Sequence, residues 1–199
     1  MKILVIGATG TIGQAVVRSL SAQHEVVQAS RSSTAYPVDI TQHESVLALF
    51  ERVGRVDAIV STTGALHFGP LAEMTTVEFQ KGLQSKLLGQ VDLALTGQHY
   101  LTEGGSITLT SGIVSDEPIA HGANATTVNA AVDGFVRAAA VELKRGMRIN
   151  AVSPTVLQES WASYGPFFSG FEPVPASRVA LAYLRSIEGV QTGRVYRVW

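Results

Sequence analysis

The stretch Lys2 to Gly13, KILVIGATGTIG, most narrows what this chain can fold into. Ile3, Leu4, Val5 and Ile6 form an unbroken apolar run, the pattern of a parallel strand covered on both faces. Gly7, Gly10 and Gly13 follow at three-residue spacing, and a helix-competent segment begins at once. A strand, a tight turn and a helix start with no side chains blocking the backbone let main-chain N–H groups and the positive helix end meet a phosphate. Gly7, Thr9, Gly10, Thr11, Ile12 and Gly13 are therefore expected to hold a nucleotide. The competing reading is a purely structural strand-to-helix turn.

The 199 residues suffice for one domain with a substantial core. With 46% hydrophobic and 16% charged residues, disorder is excluded and a well-buried sheet is expected. A net charge of −1 points to neither nucleic acid nor an anionic membrane surface. The absence of cysteine rules out disulfides, thiolate catalysis and thiolate metal sites, and no metal is expected. No apolar run approaches a membrane span and no leader is evident, so a cytoplasmic protein acting on a small molecule is expected.

Strand and helix patterns alternate along the chain. Glu25 to Ser30 reads as a second strand, ending in Ser30, Arg31 and Ser32 about 18 residues past Gly13. A dinucleotide fold meets the adenosine ribose at this point. An acidic residue would accept from a free 2′-hydroxyl, whereas Arg31 pairs with a 2′-phosphate, so NADP(H) is favoured over NAD(H). The competing reading of Arg31 is a solvated surface side chain. Tyr36 to Asp39 looks like a third strand, although only about six residues separate it from the second and a parallel crossover takes a dozen or more. The favoured explanation is a deleted crossover helix.

Thr41 and Glu44 match a capping box before a helix carrying Val46, Leu49, Phe50 and Val53. Val56 to Ser61 is the next strand, leading into the small, hydroxyl-rich turn Ser61, Thr62, Thr63, Gly64. Thr75 and Glu78 form a second capping box before a long helix with an apolar stripe at Phe79, Leu83, Leu87, Val91 and Leu95. Lys86, Gly89 and Gln90 lie off that stripe. Ser106 to Ser111, Met147 to Val152 and Arg194 to Val198 are the remaining strands. Helices are expected at Asn124 to Arg145 and Ser177 to Ile187, with an aromatic, turn-rich segment from Leu157 to Pro175. The class is α/β: a doubly wound parallel sheet of Rossmann type in three α/β/α layers, one domain over residues 1–199.

These residues resemble the short-chain dehydrogenase/reductase superfamily over essentially the whole chain. Gly7 to Gly13 is similar to its phosphate loop, and Asp39-Ile40 to its adenine-contacting pair. Ser61 to Ala65, including Thr62 and Gly64, stands where that family has Asn-Asn-Ala-Gly. Thr110-Ser111 resembles the strand end that carries its catalytic Ser. Asn150 to Thr155 resembles Asn-x-Val-x-Pro-Gly, so Pro154, Thr155 and Val156 are expected at the nicotinamide. The resemblance further implies a homodimer or homotetramer paired through the helices Thr76 to Gly97 and Asn124 to Arg145.

The chemistry departs from that family. Its carbonyl reduction uses a Tyr as proton donor and a Lys four residues later, yet residues 101–143 contain neither. Their positions fall on Ala125 and Asn129, and the family's helix Asn falls on Lys86. Ser111, Lys86 and His121 are the catalytic candidates: His121 for a side-chain pKa suited to proton transfer, Lys86 for contacts to a ribose or oxyanion. Tyr164 can supply a phenol from another direction, though a packing role fits it as well. The expected activity is NADP(H)-dependent transfer of hydride to or from a small, partly apolar carbonyl or alcohol. The alternatives are a non-catalytic NADP(H) sensor, or an isomerase or lyase with Lys86 or His121 as base.

Overall fold

In the computed structural model, which describes residues 1–199, the first apolar run is β1 (Lys2–Ile6). It lies inside a six-stranded parallel sheet with β2 (Glu25–Ala29), β3 (Val56–Ser61), β4 (Leu101–Thr110), β5 (Arg148–Pro154) and β6 (Val195–Val198), in the order β2-β1-β3-β4-β5-β6. Every neighbouring pair is parallel. The alternating sides of β1 feed two cores, as a doubly covered strand must. Leu4 and Ile6 pack with Val46, Phe50, Leu93 and Val132, from α2 (His43–Val53), α4 (Gly89–Gly97) and α5 (Ala123–Glu142). Ile3 and Val5 pack on the other face with Val16, Leu20, Val179 and Tyr183, from α1 (Thr11–Leu20) and α7 (Ala176–Glu188). This is the expected three-layer, doubly wound α/β fold. No helix is long and apolar enough to cross a membrane.

Three local expectations are corrected. Tyr36 to Asp39 is not a strand: only Ser30 and Pro37 form a single parallel bridge. Pro37 has no N–H to extend a ladder, and the six-residue connection closes through hydrogen bonds from Ser30 N–H to Tyr36 and from Val38 N–H to the Ser30 carbonyl. The sheet therefore ends at β2. The capping box at Thr41 does not form either. Helix α2 starts one residue later, with Gln42 at its N-cap and no side-chain cap, because the Thr41 hydroxyl donates to Asp39 Oδ1 at 2.7 Å. The box at Thr75 does form: its hydroxyl accepts from Glu78 N–H, and the Glu78 carboxylate accepts from Thr75 N–H.

The third correction concerns the long helix that this box starts. It runs as α3 (Thr76–Gly82), a π-helical turn (Leu83–Leu88) and α4. The buried face carries Gly82, Lys86, Gly89, Gln90, Leu93, Ala94 and Gly97. Of the apolar stripe, Phe79, Leu83, Leu87 and Val91 are only half-buried and Leu95 is 53% exposed. Small residues explain the shift of the buried face. Gly89 lies against Ile40, and Gly97 against Ile59 and Phe50, so closely that a Cβ at either would be within 3 Å of a side chain. The backbone at those two positions approaches its neighbours in a way the leucine face cannot.

The two capping sites give a stability test. Thr75→Ala is expected to cost about 1 kcal/mol in urea unfolding, as loss of a real N-cap does. Thr41→Ala is expected to cost no more than about 0.5 kcal/mol, the range of ordinary surface changes.

Candidate cofactor and active site

The sheet order reverses between β1 and β3, and ligands of open α/β sheets lie outside the strands' carboxyl ends at such a point. Gly7 closes β1 at φ +85°, and a Cβ there would stand 2.8 Å from the carbonyl oxygen of Thr62 at the end of β3. Glycine is thus required both by the backbone and by the approach. Over these ends opens a cleft of about 880 Å³. Its wall is formed by Gly7, Thr9 and Gly10 from the first turn, Ser30, Arg31 and Ser32 after β2, and Asp39, Ile40, Thr62 and Gly64. Helix α1 points its N-terminus here with no side-chain cap, leaving the first-turn amides available to an anion. Thr11, Ile12 and Gly13 supply that helix start without lining the cleft. Gly13 is buried against the Gly7 carbonyl.

Arg31 is exposed and takes part in none of the chain's ion pairs. Asp39 is held below the usual carboxylate range by hydrogen bonds from the Thr41 N–H and hydroxyl. A cleft with glycine-rich backbone at one end and a free guanidinium among serine hydroxyls at the other suits a dinucleotide carrying an extra phosphate.

Residues 8–195 match the protein family described as Enoyl-(Acyl carrier protein) reductase. The chain belongs to this family, within the short-chain dehydrogenase/reductase superfamily. Among curated proteins it is similar to a hydroxynaphthalene reductase of Aspergillus fumigatus, 28% identical over 72% of this chain and 56% of that protein. A tetrahydroxynaphthalene reductase of Pestalotiopsis fici is 31% identical over 71% of this chain and 54% of its own. The chain spans about half the length of the curated relatives it matches. Among solved structures it is similar to the protein lin1944 from Listeria innocua, 50% identical with a TM-score of 0.98 and both chains fully covered. A small-chain dehydrogenase in complex with NADPH is 30% identical, with a TM-score of 0.90 over 100% of this chain and 96% of that one.

A second cavity of about 350 Å³ shares Gly64 and Ala65 with the first. Ser111, Asn129 and Thr155 line it with polar groups beside Pro154 and Val156, and Phe68, Tyr164 and Phe168 add apolar rings. Thr155 is buried with its hydroxyl unpartnered, which suits the carboxamide that the superfamily's nicotinamide would present there. The aromatic segment folds over this cavity: Phe68 lies 5.9 Å from Tyr164 and 5.8 Å from Phe167, ring centre to ring centre.

The remaining predicted residues distribute differently. Ser61 is buried and its hydroxyl bonds Thr63 Oγ1 at 2.8 Å. The Thr110 hydroxyl bonds the Ser61 carbonyl and the Tyr183 hydroxyl, inside the core. Burial pushes the Tyr183 phenol up, and it lines neither cavity. His121 is exposed at φ +62° with its ring edge against Phe167, and also lines neither. Lys86 is only 7% exposed. Its stem crosses Gly64, where a Cβ would strike it.

Gln90 explains how Lys86 is placed. The π-turn breaks the regular helix ladder, and Gln90 Nε2 donates to the Lys86 carbonyl and to the Thr110 carbonyl, both at 2.8 Å. Gln90 Oε1 in turn accepts from Thr110 N–H at 2.8 Å. One side chain thus ties the lysine's turn to the residue before Ser111. Burial lowers the Lys86 ammonium from its usual 10.5 to about 8, and the Asp133 carboxylate opposes that shift. Gln90 and Asp133 were outside the predicted site. An acid in the Ala- and Val-rich run of α5 was the visible signal for Asp133, whereas the π-turn has no sequence signature.

The Lys86 shift fixes a stability profile. The folded chain releases this proton near pH 8 and the unfolded chain near 10.5. Between those values the unfolded chain binds more protons, so stability rises with pH. Relative to Lys86→Met, the wild type is expected to gain up to about 3 kcal/mol across that interval. Urea unfolding of both proteins from pH 7 to 10.5 checks this, and a constant difference would show that Lys86 titrates normally.

Proposed function

We propose that this chain is an NADP(H)-dependent oxidoreductase, a single nucleotide-binding domain that reduces a small, partly apolar carbonyl. The observation that carries this reading is that Gly64 and Ala65 line both cavities, the one walled by Arg31 and the one walled by Ser111. Gly7, Thr9, Gly10, Thr62 and the α1 amides would hold the diphosphate, Arg31 with Ser30 and Ser32 the 2′-phosphate, and Asp39 and Ile40 the adenine. Pro154, Thr155 and Val156 would seat the nicotinamide. When bound, the cofactor supplies hydride.

Ser111 Oγ then orients the substrate oxygen, and Lys86, with a pKa of about 8, is a proton source suited to neutral pH. Its stem packs over Gly64, which lines both cavities, and this supports the role over His121, which stays at the surface. Phe68, Tyr164 and Phe168 exclude water and favour a flat ring. The hydroxynaphthalene reductases among the relatives are named for such a substrate class. The outward leucines and small residues of α4 and α5 would pair two copies.

Two measurements test this. Arg31→Ala is expected to weaken NADPH about 10- to 100-fold and NADH less than about twofold, as loss of one charge-assisted phosphate contact does. Equal effects on both would remove the 2′-phosphate assignment. With NADPH and a panel of cyclic ketones, nicotinamide absorbance should fall. Ser111→Ala should slow this by about 10²-fold or more. Tight NADPH binding without consumption across the panel would favour a sensor instead.

A further inference from the structure

The reaction above leaves one polar group of the second cavity without a partner. Buried side-chain atoms lacking any hydrogen bond belong to three residues that line this cavity, Ser111, Asn129 and Thr155, and to none that lines the larger cleft. These residues are 3%, 2% and 5% exposed. Buried polar atoms are normally satisfied, so their partners belong to whatever fills the space. In that reaction the Ser111 hydroxyl meets the carbonyl oxygen and Thr155 meets the nicotinamide carboxamide. Asn129 Oδ1 is left over.

The chemistry of this atom sets what it can bind. A carboxamide oxygen only accepts, so it calls for an O–H or N–H on the ligand. The lysine that the superfamily carries at this position offers only donors, and asparagine adds the opposite demand. No Asp, Glu, Lys, Arg or His lines the cavity, and Leu66, Phe68, Ile113, Val156 and Phe168 make much of its wall apolar. An ionised group entering such a space would lose its water without gaining a counter-charge. One turn of α5 earlier, Ala125 fills the tyrosine position with a buried methyl in the small apolar cluster that holds Val156 and Phe168. It brings no hydroxyl to the Asn129 oxygen.

Asn129 faces the backbone directly after Ser111. A Cβ added to Gly112 would stand 3.4 Å from Asn129 Nδ2 and 3.8 Å from Oδ1. One small ligand can therefore meet Ser111 and Asn129 together.

We propose that Asn129 is a specificity-determining residue: its Oδ1 accepts a hydrogen bond from a hydroxyl of the substrate while Ser111 holds the carbonyl, so that the substrates are uncharged hydroxy ketones. The proposal rests on the reductase reading of this site and narrows the substrate class within it. A ligand that fills the cavity displaces water. One without a donor leaves the Asn129 oxygen buried and unpaired, which is how a site built for a hydroxyl rejects the analogue that lacks it.

The test compares cyclohexanone, its hydroxylated isomers and 4-oxocyclohexanecarboxylate. Binding is read by NMR titration of the protein alone and of its complex with tetrahydro-NADP, a reduced analogue that gives up no hydride. In the wild type the best hydroxylated isomer is expected to bind about 10- to 100-fold tighter than cyclohexanone, and the carboxylate more weakly than cyclohexanone. Equal affinities, no binding, or a preference for the carboxylate overturns the proposal, whether or not any variant folds.

Asn129→Leu keeps the bulk and removes both polar atoms. Its preference for the hydroxy ketone should fall to within about threefold, through weaker binding of that ligand, while cyclohexanone binds as well as before. An unchanged preference overturns the proposal. If tetrahydro-NADP is at the same time weakened about tenfold or more, the oxygen serves a ribose hydroxyl of the cofactor instead. With NADPH, kcat/KM across the ketones should follow the binding order. The expected binding preference in a protein that consumes no NADPH would overturn the reductase reading and not the hydroxyl assignment of Asn129.

Discussion

Between β1 and β3 the backbones come so close that Gly7 has no room for a side chain against Thr62. The site depends on that approach. It is the place where the sheet reverses its order, so the turns after the two strands diverge and leave a cleft instead of packing together. The bare backbone of the first turn faces one end of this cleft. Gly64, at φ +115°, lets the chain pass beneath the Lys86 stem at the other. A side chain at either glycine would close one cavity or displace the lysine.

The helix from Thr75 to Gly97 shows how packing overrides pattern. Its apolar stripe at four-residue spacing is the obvious core face, yet that stripe stays half-buried or exposed while glycines, Gln90 and Lys86 are buried. A tight helix-to-sheet approach is worth more here than leucine burial in this chain alone, because it lets Leu93 and Ala94 reach the sheet and positions Gln90 to satisfy three backbone groups at once. Burying the lysine is costly unless its charge is answered. Here burial lowers the Lys86 ammonium to about 8, and the Asp133 carboxylate opposes that shift.

Much of the cofactor end was readable because its chemistry uses backbone and short local motifs. Glycine spacing, the serines around Arg31 and the small turn after β3 all act within a few residues of a strand end, and the strand ends are set by apolar runs. The chemistry end was readable only in part. Ser111 follows its strand directly and lies in the predicted place. Asp133, whose charge acts on Lys86, lies 47 residues away on α5, joined to it by no pattern in the chain. Local motifs also failed where a neighbour competed: Thr41 matches a cap, but Asp39 two residues earlier takes its hydroxyl. Tyr36 to Asp39 has strand composition, but Pro37 and a short connection limit it to one bridge.

The amino-acid sequence by itself determined the strand and helix alternation, the glycine turn after β1 and the positive charge after β2, because each follows from propensity and charge within a short window. It also determined what is missing, since no Tyr or Lys occurs in residues 101–143. Only the tertiary structure decided what stands in that gap. A π-turn, one glutamine clamp and the packing of α5 bury Lys86, Ser111, Asn129 and Asp133. Such a set is defined by desolvation and distance, and neither is a property of a residue's neighbours in the chain.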